Sequence, residues 1–225
     1  MKPMLPVLLA TNAGFVDTAG FLALHGLFTT HVTGNFVTLG AALVHGTSGV
    51  IAKLLALPAF CVVVILIRLL DAALIRRGLP TLKVMFAIQF ALLLAGAVLA
   101  LRFGPFPEGD GPAALATGMV LVAAMAIQNA AHRTHLAATP ATTVMTLTTT
   151  QVMIDVADLM RGVTGEARAA AHQRLGPAVL GVACFAAGCI AAALLYVGAK
   201  ERCFIAPPIA AALVLVTLFA RGEKG

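Results

Sequence analysis

Residues 14–40, GFVDTAGFLALHGLFTTHVTGNFVTLG, set one aspartate, two histidines and one asparagine inside sequence that is otherwise apolar enough for a bilayer. Lipid satisfies neither a carboxylate nor broken backbone, so this stretch must face protein or a water-filled cavity, where it marks a ligand or ion path. Asp17 falls near mid-depth of the first apolar run, where a charged carboxylate costs ~2.5–3.5 kcal/mol. Two roles fit it: a proton- or cation-coupling group, or a structural cap on a neighbouring broken segment. His31 can shuttle a proton or hydrogen-bond a solute, and His25 flanks the same turn. Next to His31 stand Thr33, Gly34 and Asn35; glycine permits close backbone approach, and the asparagine amide offers both donor and acceptor. The alternative for this trio is tight helix packing through small residues.

A second polar constellation lies further on. Gln128 and Asn129 are uncharged, and Thr139-Pro140 leads into Thr142, Thr143 and Thr146. Pro140 predicts a helix break. The threonine hydroxyls either meet a solute or bond to their own helix carbonyls. Asp155 and Asp158 are expected to pair with Arg161 or another arginine on the same side. Enzyme signatures are absent: there is no HExxH, GxSxG or Walker loop, and no Cys or His cluster at metal spacing. No enzyme, metal site or cofactor is therefore expected. The four cysteines, scattered without CxxC spacing, read as small buried hydrophobes.

The elements that must hold these groups are membrane helices. Of 225 residues 60% are hydrophobic and 11% charged, and the mean hydropathy is +1.00. Apolar runs of about 18–22 residues suit a hydrocarbon layer ~30 Å thick at ~1.5 Å per residue, which predicts an all-α polytopic bundle in a lipid bilayer. The net charge of +6 does not indicate nucleic acid, because the 15 Lys and Arg residues sit at the ends of apolar runs rather than along one face. The opening MKPMLPVLLATNAG loosely resembles a secretory signal, but Pro3 and Pro6 interrupt it and the apolar run continues to Leu24, so it reads as part of the first span.

Eight apolar blocks result: 5–24, 29–45, 51–70, 82–101, 113–131, 141–159, 177–199 and 203–220. The blocks at 29–45 and 141–159 are too polar to face lipid. If all eight cross, positive charge divides eight to seven and gives no orientation. If those two are re-entrant, eleven of the 15 Lys and Arg residues lie on the side of the termini and four opposite. The positive-inside rule thus favours about six spans, two re-entrant or broken helices, and both termini cytoplasmic.

The two polar blocks also resemble each other. TGNFVTLG (33–40) aligns with ATTVMTLT (141–148), setting Asn35 on Thr143, while Val16-Asp17 meets Gln128-Asn129 if the second copy is four residues shorter between motifs. The chain then divides into a first membrane repeat at 1–106 and a second at 107–225, together one domain. Three crossings per half force an inverted repeat, and such repeats place a solute site near mid-depth at discontinuous helices.

At Gly14 to Asp17, at His31-Val32-Thr33-Gly34-Asn35, and again at Gln128-Asn129-Ala130 with its threonine-rich sequel, the chain resembles the YoaK-like family of bacterial multispan membrane proteins, a domain of unknown function. The resemblance covers nearly the whole chain. It implies the bacterial inner membrane and a transporter or permease without an established substrate. The family's usual Thr-Gly-Thr turn is replaced by Ala141-Thr142-Thr143 or Leu147-Thr148-Thr149. The expected function is a small-solute transporter or permease, proton- or cation-coupled in one version, with Asp17, His31, Thr33, Gly34, Asn35, Gln128, Asn129, Thr142 and Thr143 lining its site. The alternatives are a passive channel and a membrane scaffold without transport. The expected partners are the bilayer and an unidentified small solute or ion. Six short spans enclose little space, which favours a homodimer, although no interface motif locates one.

Overall fold

The computed structural model describes residues 4–222, and among them there is no strand. Eight α-helices follow one another: α1 (Met4–Ala23), α2 (Asn35–His45), α3 (Val50–Arg76), α4 (Thr81–Phe103), α5 (Pro112–His135), α6 (Met145–Met160), α7 (Gly165–Ala199) and α8 (Ala206–Gly222). Five stretches are long and apolar enough to cross a membrane, namely α1, α3, α4, α5 and the 56-residue run Gly165–Ala220. That last run is bent by a 3-10 segment at Lys200–Ile205 into α7 and α8. The protein is a polytopic helical bundle of membrane type.

Two apolar clusters give the long helices their direction. One joins Leu5 and Leu9 of α1 to Ile67 late in α3, Phe86 early in α4, Ile127 late in α5 and Leu218 late in α8. The other joins Ala23, Ala52, Ala100 and Ala114, which stand at the opposite ends of α1, α3, α4 and α5, to Ala192 late in α7 and to Phe204. Successive long helices therefore alternate. The end where α1 begins is called proximal below, and the other distal.

The two polar blocks are short helices that do not cross. At ~1.5 Å per residue α2 (11 residues) and α6 (16 residues) span about 17 and 24 Å, less than the ~30 Å of hydrocarbon. The segment before α2 leaves α1 at the distal end, where His25 (φ +53°) and Gly26 (φ +82°) reverse the chain. It returns to that end at Gly46, a left-handed cap at φ +63°. One buried ammonium ties the two limbs together: Lys53 Nζ donates to the carbonyls of His25 (2.7 Å) and Ser48 (3.3 Å). Replacing Lys53 by methionine strands both carbonyls and is expected to cost about 1–3 kcal/mol in a detergent unfolding titration. The loop before α5 completes this end. Asp110 caps α3 from across the bundle, accepting the N–H groups of Gly49 (3.1 Å), Val50 (3.0 Å) and Ala52 (3.0 Å).

The second excursion is placed at the other end. α5 finishes proximally, where His135 Nε2 donates to Asp71 (2.8 Å), a carboxylate that Arg68 also holds. The chain turns inward over residues 136–144, and α6 runs back along α7, fixed by Arg174 Nη2 to Asp155 (2.6 Å). Asp158 takes Arg161 at 3.6 Å. Cys203 is buried, but Cys61 is exposed on α3 and Cys184 and Cys189 are only part-buried. The expectation of buried cysteines holds at one position, because an apolar thiol is equally at ease against lipid.

Candidate functional site

α1 carries the anchor of the first excursion. Small residues along it, Ala13, Gly14 and Gly20 among them, let other backbone approach closely; a Cβ at Gly20 would sit 2.8 Å from the Thr29 methyl. The turn that descends from Leu24 has backbone N–H groups with no helix to satisfy them, and Asp17 supplies the acceptor. Its Oδ1 accepts the N–H of Thr29 (2.9 Å) and of Thr30 (2.7 Å), while its Oδ2 accepts Nδ1–H of His31 at 2.7 Å. The carboxylate is 4% exposed. Of the two roles open to Asp17, this geometry is that of a cap on a broken segment. The hydroxyls of Thr29 and Thr30 donate to the α1 carbonyls of Val16 (3.3 Å) and Ala13 (3.4 Å).

Asn35 clasps the same turn. Its Oδ1 accepts the N–H of Phe28 and its Nδ2 donates to the carbonyl of Phe28, both at 2.8 Å, which closes the loop just where α2 begins. Gly34 lies against the Phe28 ring, where a Cβ would be 3.0 Å from a ring carbon. His31 is half-buried and meets the Phe185 ring of α7 edge-on at 5.4 Å between centroids. Thr33 stays apart from this group and is exposed.

The second excursion uses uncharged groups for the same purpose. Gln128, fully buried on α5, donates through Nε2 to the carbonyl of Leu9 on α1 (3.0 Å) and to the Thr142 hydroxyl (3.2 Å). Its Oε1 accepts Gln89 Nε2 of α4 at 2.8 Å. Asn129 accepts the Thr143 hydroxyl at 2.6 Å. The spacing from Asn129 to Thr143 is 14 residues, as it is from Asp17 to His31. Thr143 thus stands to Asn129 at the spacing that His31 has to Asp17.

The site residues expected from sequence therefore form two clusters: Asp17, His31, Gly34 and Asn35 at one tip, and Gln128, Asn129, Thr142 and Thr143 at the other. α1 joins them. Its carbonyls at Leu9 and Ala13, one helical turn or ~5 Å apart, receive Gln128 of the second cluster and Thr30 of the first. A cavity of about 240 Å³ opens beside the second tip, lined by Ala10, Thr142, Pro140 and Pro177. Another, of about 460 Å³, lies between α3, α5 and the same tip, lined by Phe60, Asn129, His132, Arg133, Thr139 and Thr143. Nδ1 of His132 is buried there with no hydrogen-bond partner among the described residues.

Sequence reasoning missed Gln89, Thr29, Thr30, Thr139 and Arg133 as site residues. Gln89 carried a signal, as the one neutral polar side chain in the apolar block at 82–101. Thr29 and Thr30 carried little, because their main contribution is backbone N–H, which the residue type does not announce.

No curated protein and no solved structure matches the chain. A family model described as a protein of unknown function, DUF1275, matches residues 5–219, in agreement with the YoaK-like resemblance. With that match covering nearly all of the described residues, the chain belongs to the DUF1275 family of proteins of unknown function.

Proposed function

We propose that the protein is a small-solute transporter or permease built as an inverted repeat, with its site near mid-depth, where the two re-entrant segments anchor on α1. One observation carries this reading: the segments enter from opposite ends, and their tips anchor one turn apart on α1, with cavities of about 240 and 460 Å³ at the second of them. Irregular backbone at membrane depth is tolerated only where protein or a water-filled cavity receives it, and transporters use such breaks to offer hydrogen bonds to a solute.

The packing supports the repeat. α1 lies on α7 as α5 lies on α3; α5 lies on α4 as α1 lies on α8; α2 lies on α3 as α6 lies on α7. Exchanging α1–α4 for α5–α8 reproduces every one of these pairs. The division at 1–106 and 107–225 follows that exchange. Orientation rests on charge: Arg68, Arg76, Arg77, Lys83, Arg133, Arg161, Arg168 and Arg174 lie toward the proximal end, against Lys53, Arg102, Lys200 and Arg202 at the distal end. In the bacterial inner membrane the proximal end, and with it both termini, faces the cytoplasm. The transported solute passes without covalent change.

The test is flux in proteoliposomes, read by light scattering, over a panel of short-chain carboxylates, amino acids, sugars and polyols. At least one solute is expected to move about tenfold faster than through empty liposomes, with saturation, and Asn35→Ala is expected to lower that rate about tenfold by opening the first clasp. Flux equal to that of empty liposomes for the whole panel removes the reading. The half-helix pair also suits a passive channel; a rate that rises linearly with solute concentration selects it.

A further inference from the structure

We infer that the cavity of about 460 Å³ between α3, α5 and the second tip binds a small monocarboxylate anion, held by Arg133 and the amino end of α6. The inference rests on the reading of this region as the solute site and names the chemistry of the solute.

The first half of the molecule shows what such a tip accepts. There a carboxylate, Asp17, sits on two backbone N–H groups, and an imidazole, His31, fills the space in front of Phe185. In the second half Asn129 stands where the carboxylate was and Thr143 where the imidazole was, with Phe60 facing them across the opening. The neutral amide leaves the charge unfilled, and the small hydroxyl fills less space than the imidazole. The cavity opens beside both side chains, and an anion from solution supplies there the charge that Asp17 supplies at the other tip.

The walls agree in charge. One helical turn along from Asn129, this half has His132 and Arg133 where the first half has Gly20 and Phe21. Arg133 lines the cavity, and among the described residues no carboxylate lies within ion-pair distance of it. Nearby Asp71 is already held by Arg68 and His135. Val144, the residue preceding α6, lines the same space, and no side chain caps that helix. Its N–H groups and partial positive charge are therefore available to an anion. An arginine and helix N–H groups match the oxygens of a carboxylate, whereas the Thr139 and Thr143 hydroxyls already donate to the Leu136 carbonyl and to Asn129 and only line the space. Phe60, Val64, Ala130 and Leu147 make the remaining wall apolar, which suits a short hydrocarbon chain better than a second charge. The volume falls in the range of small-molecule sites, about 300–1,000 Å³.

Titration of the full chain in lipid nanodiscs with butyrate, butyramide and inorganic phosphate tests the inference at equilibrium, without any need for flux. Butyrate is expected to bind at least about tenfold more tightly than either of the others, and Arg133→Gln to weaken butyrate about tenfold. Asn129→Asp supplies the carboxylate from within and is expected to abolish butyrate binding while the melting temperature holds. Should Asn129→Asp fail to fold, Arg133→Gln decides. Equal binding of butyrate and butyramide, tighter binding of phosphate, or unaltered affinity in Arg133→Gln overturns the assignment. Flux of neutral solutes without butyrate binding removes the anion site and leaves the transport reading standing; butyrate binding without flux of any solute does the reverse.

Discussion

Asp17→Ala is expected to lower the unfolding free energy by about 3–5 kcal/mol, because two buried backbone N–H groups lose their acceptor at about 1–3 kcal/mol each. The carboxylate is the acceptor for the N–H groups of Thr29 and Thr30 and for the His31 imidazole, and at membrane depth no water replaces it. Asp17→Asn keeps one oxygen for the two N–H groups and loses the charge, so about 1–2 kcal/mol is expected. His31→Ala leaves the cap intact, and with the imidazole side chain 34% exposed it should cost about 1 kcal/mol or less. Unfolding of the protein in mild detergent by titration with a denaturing one, followed by far-ultraviolet circular dichroism, gives all three values. The order Ala, then Asn, then the His31 variant distinguishes a cap from an ion pair, since an ion pair would make Asp17→Asn and His31→Ala equal. Amide exchange adds a local readout. Thr29 and Thr30 should exchange faster in Asp17→Ala while the α4–α5 interface stays protected. An unchanged midpoint with unchanged exchange removes the capping account.

The broken elements were legible because a bilayer is an intolerant solvent. In a core bounded by water, Asn35 or Gln128 would pass unnoticed; in a chain of mean hydropathy +1.00 each announces that something receives it. Charge bias then decided between crossing and returning, and the lengths of α2 and α6 agree with it. Helix ends were less legible. The seventh apolar block starts at 177, whereas α7 starts at Gly165, twelve residues earlier. Hydropathy marks where lipid begins, and α7 continues beyond that level through Arg168 and Arg174, with Pro177 inside it.

Within the site, the partners of polar groups were the hidden part. Asp17 was conspicuous, but its ligands are backbone amides of a turn whose letters, Thr-Thr-His, name no such function. The likeness between the two clusters was hidden for the same reason. Thr143 bonds to Asn129 as His31 does to Asp17, through one shared spacing and no shared residue type. The first tip is filled by its own side chains, and the second lies beside a cavity.

Gly188→Ala is expected to be nearly as damaging as Asp17→Ala, at about 3 kcal/mol, the upper part of the usual range for overpacking. α1 and α7 cross with backbone against backbone. A Cβ at Gly188 would overlap the Thr11 carbonyl and stand 3.0 Å from the Phe15 nitrogen, and a Cβ at Gly14 would overlap the Phe185 carbonyl. Backbone cannot rotate aside as a side chain can, so the helices must separate, and the dispersion along their whole contact weakens. Gly176→Ala on the same helix meets nothing within 4 Å and is expected to gain up to about 1 kcal/mol from helix propensity. The contrast between the two variants, measured by the same detergent titration, isolates the crossing from the general cost or benefit of a methyl group. Gly14→Ala combined with Gly188→Ala should cost less than the sum of the two, because one separation relieves both overlaps and neighbouring sites need not add. Equal stability of Gly188→Ala and Gly176→Ala would mean that the helices do not approach this closely. The consequence reaches the site. α1 carries Asp17 and the carbonyls of Leu9 and Ala13 that hold both tips, so displacing it from α7 moves both anchors at once, and solute flux should fall in Gly188→Ala at temperatures where the bundle is still folded.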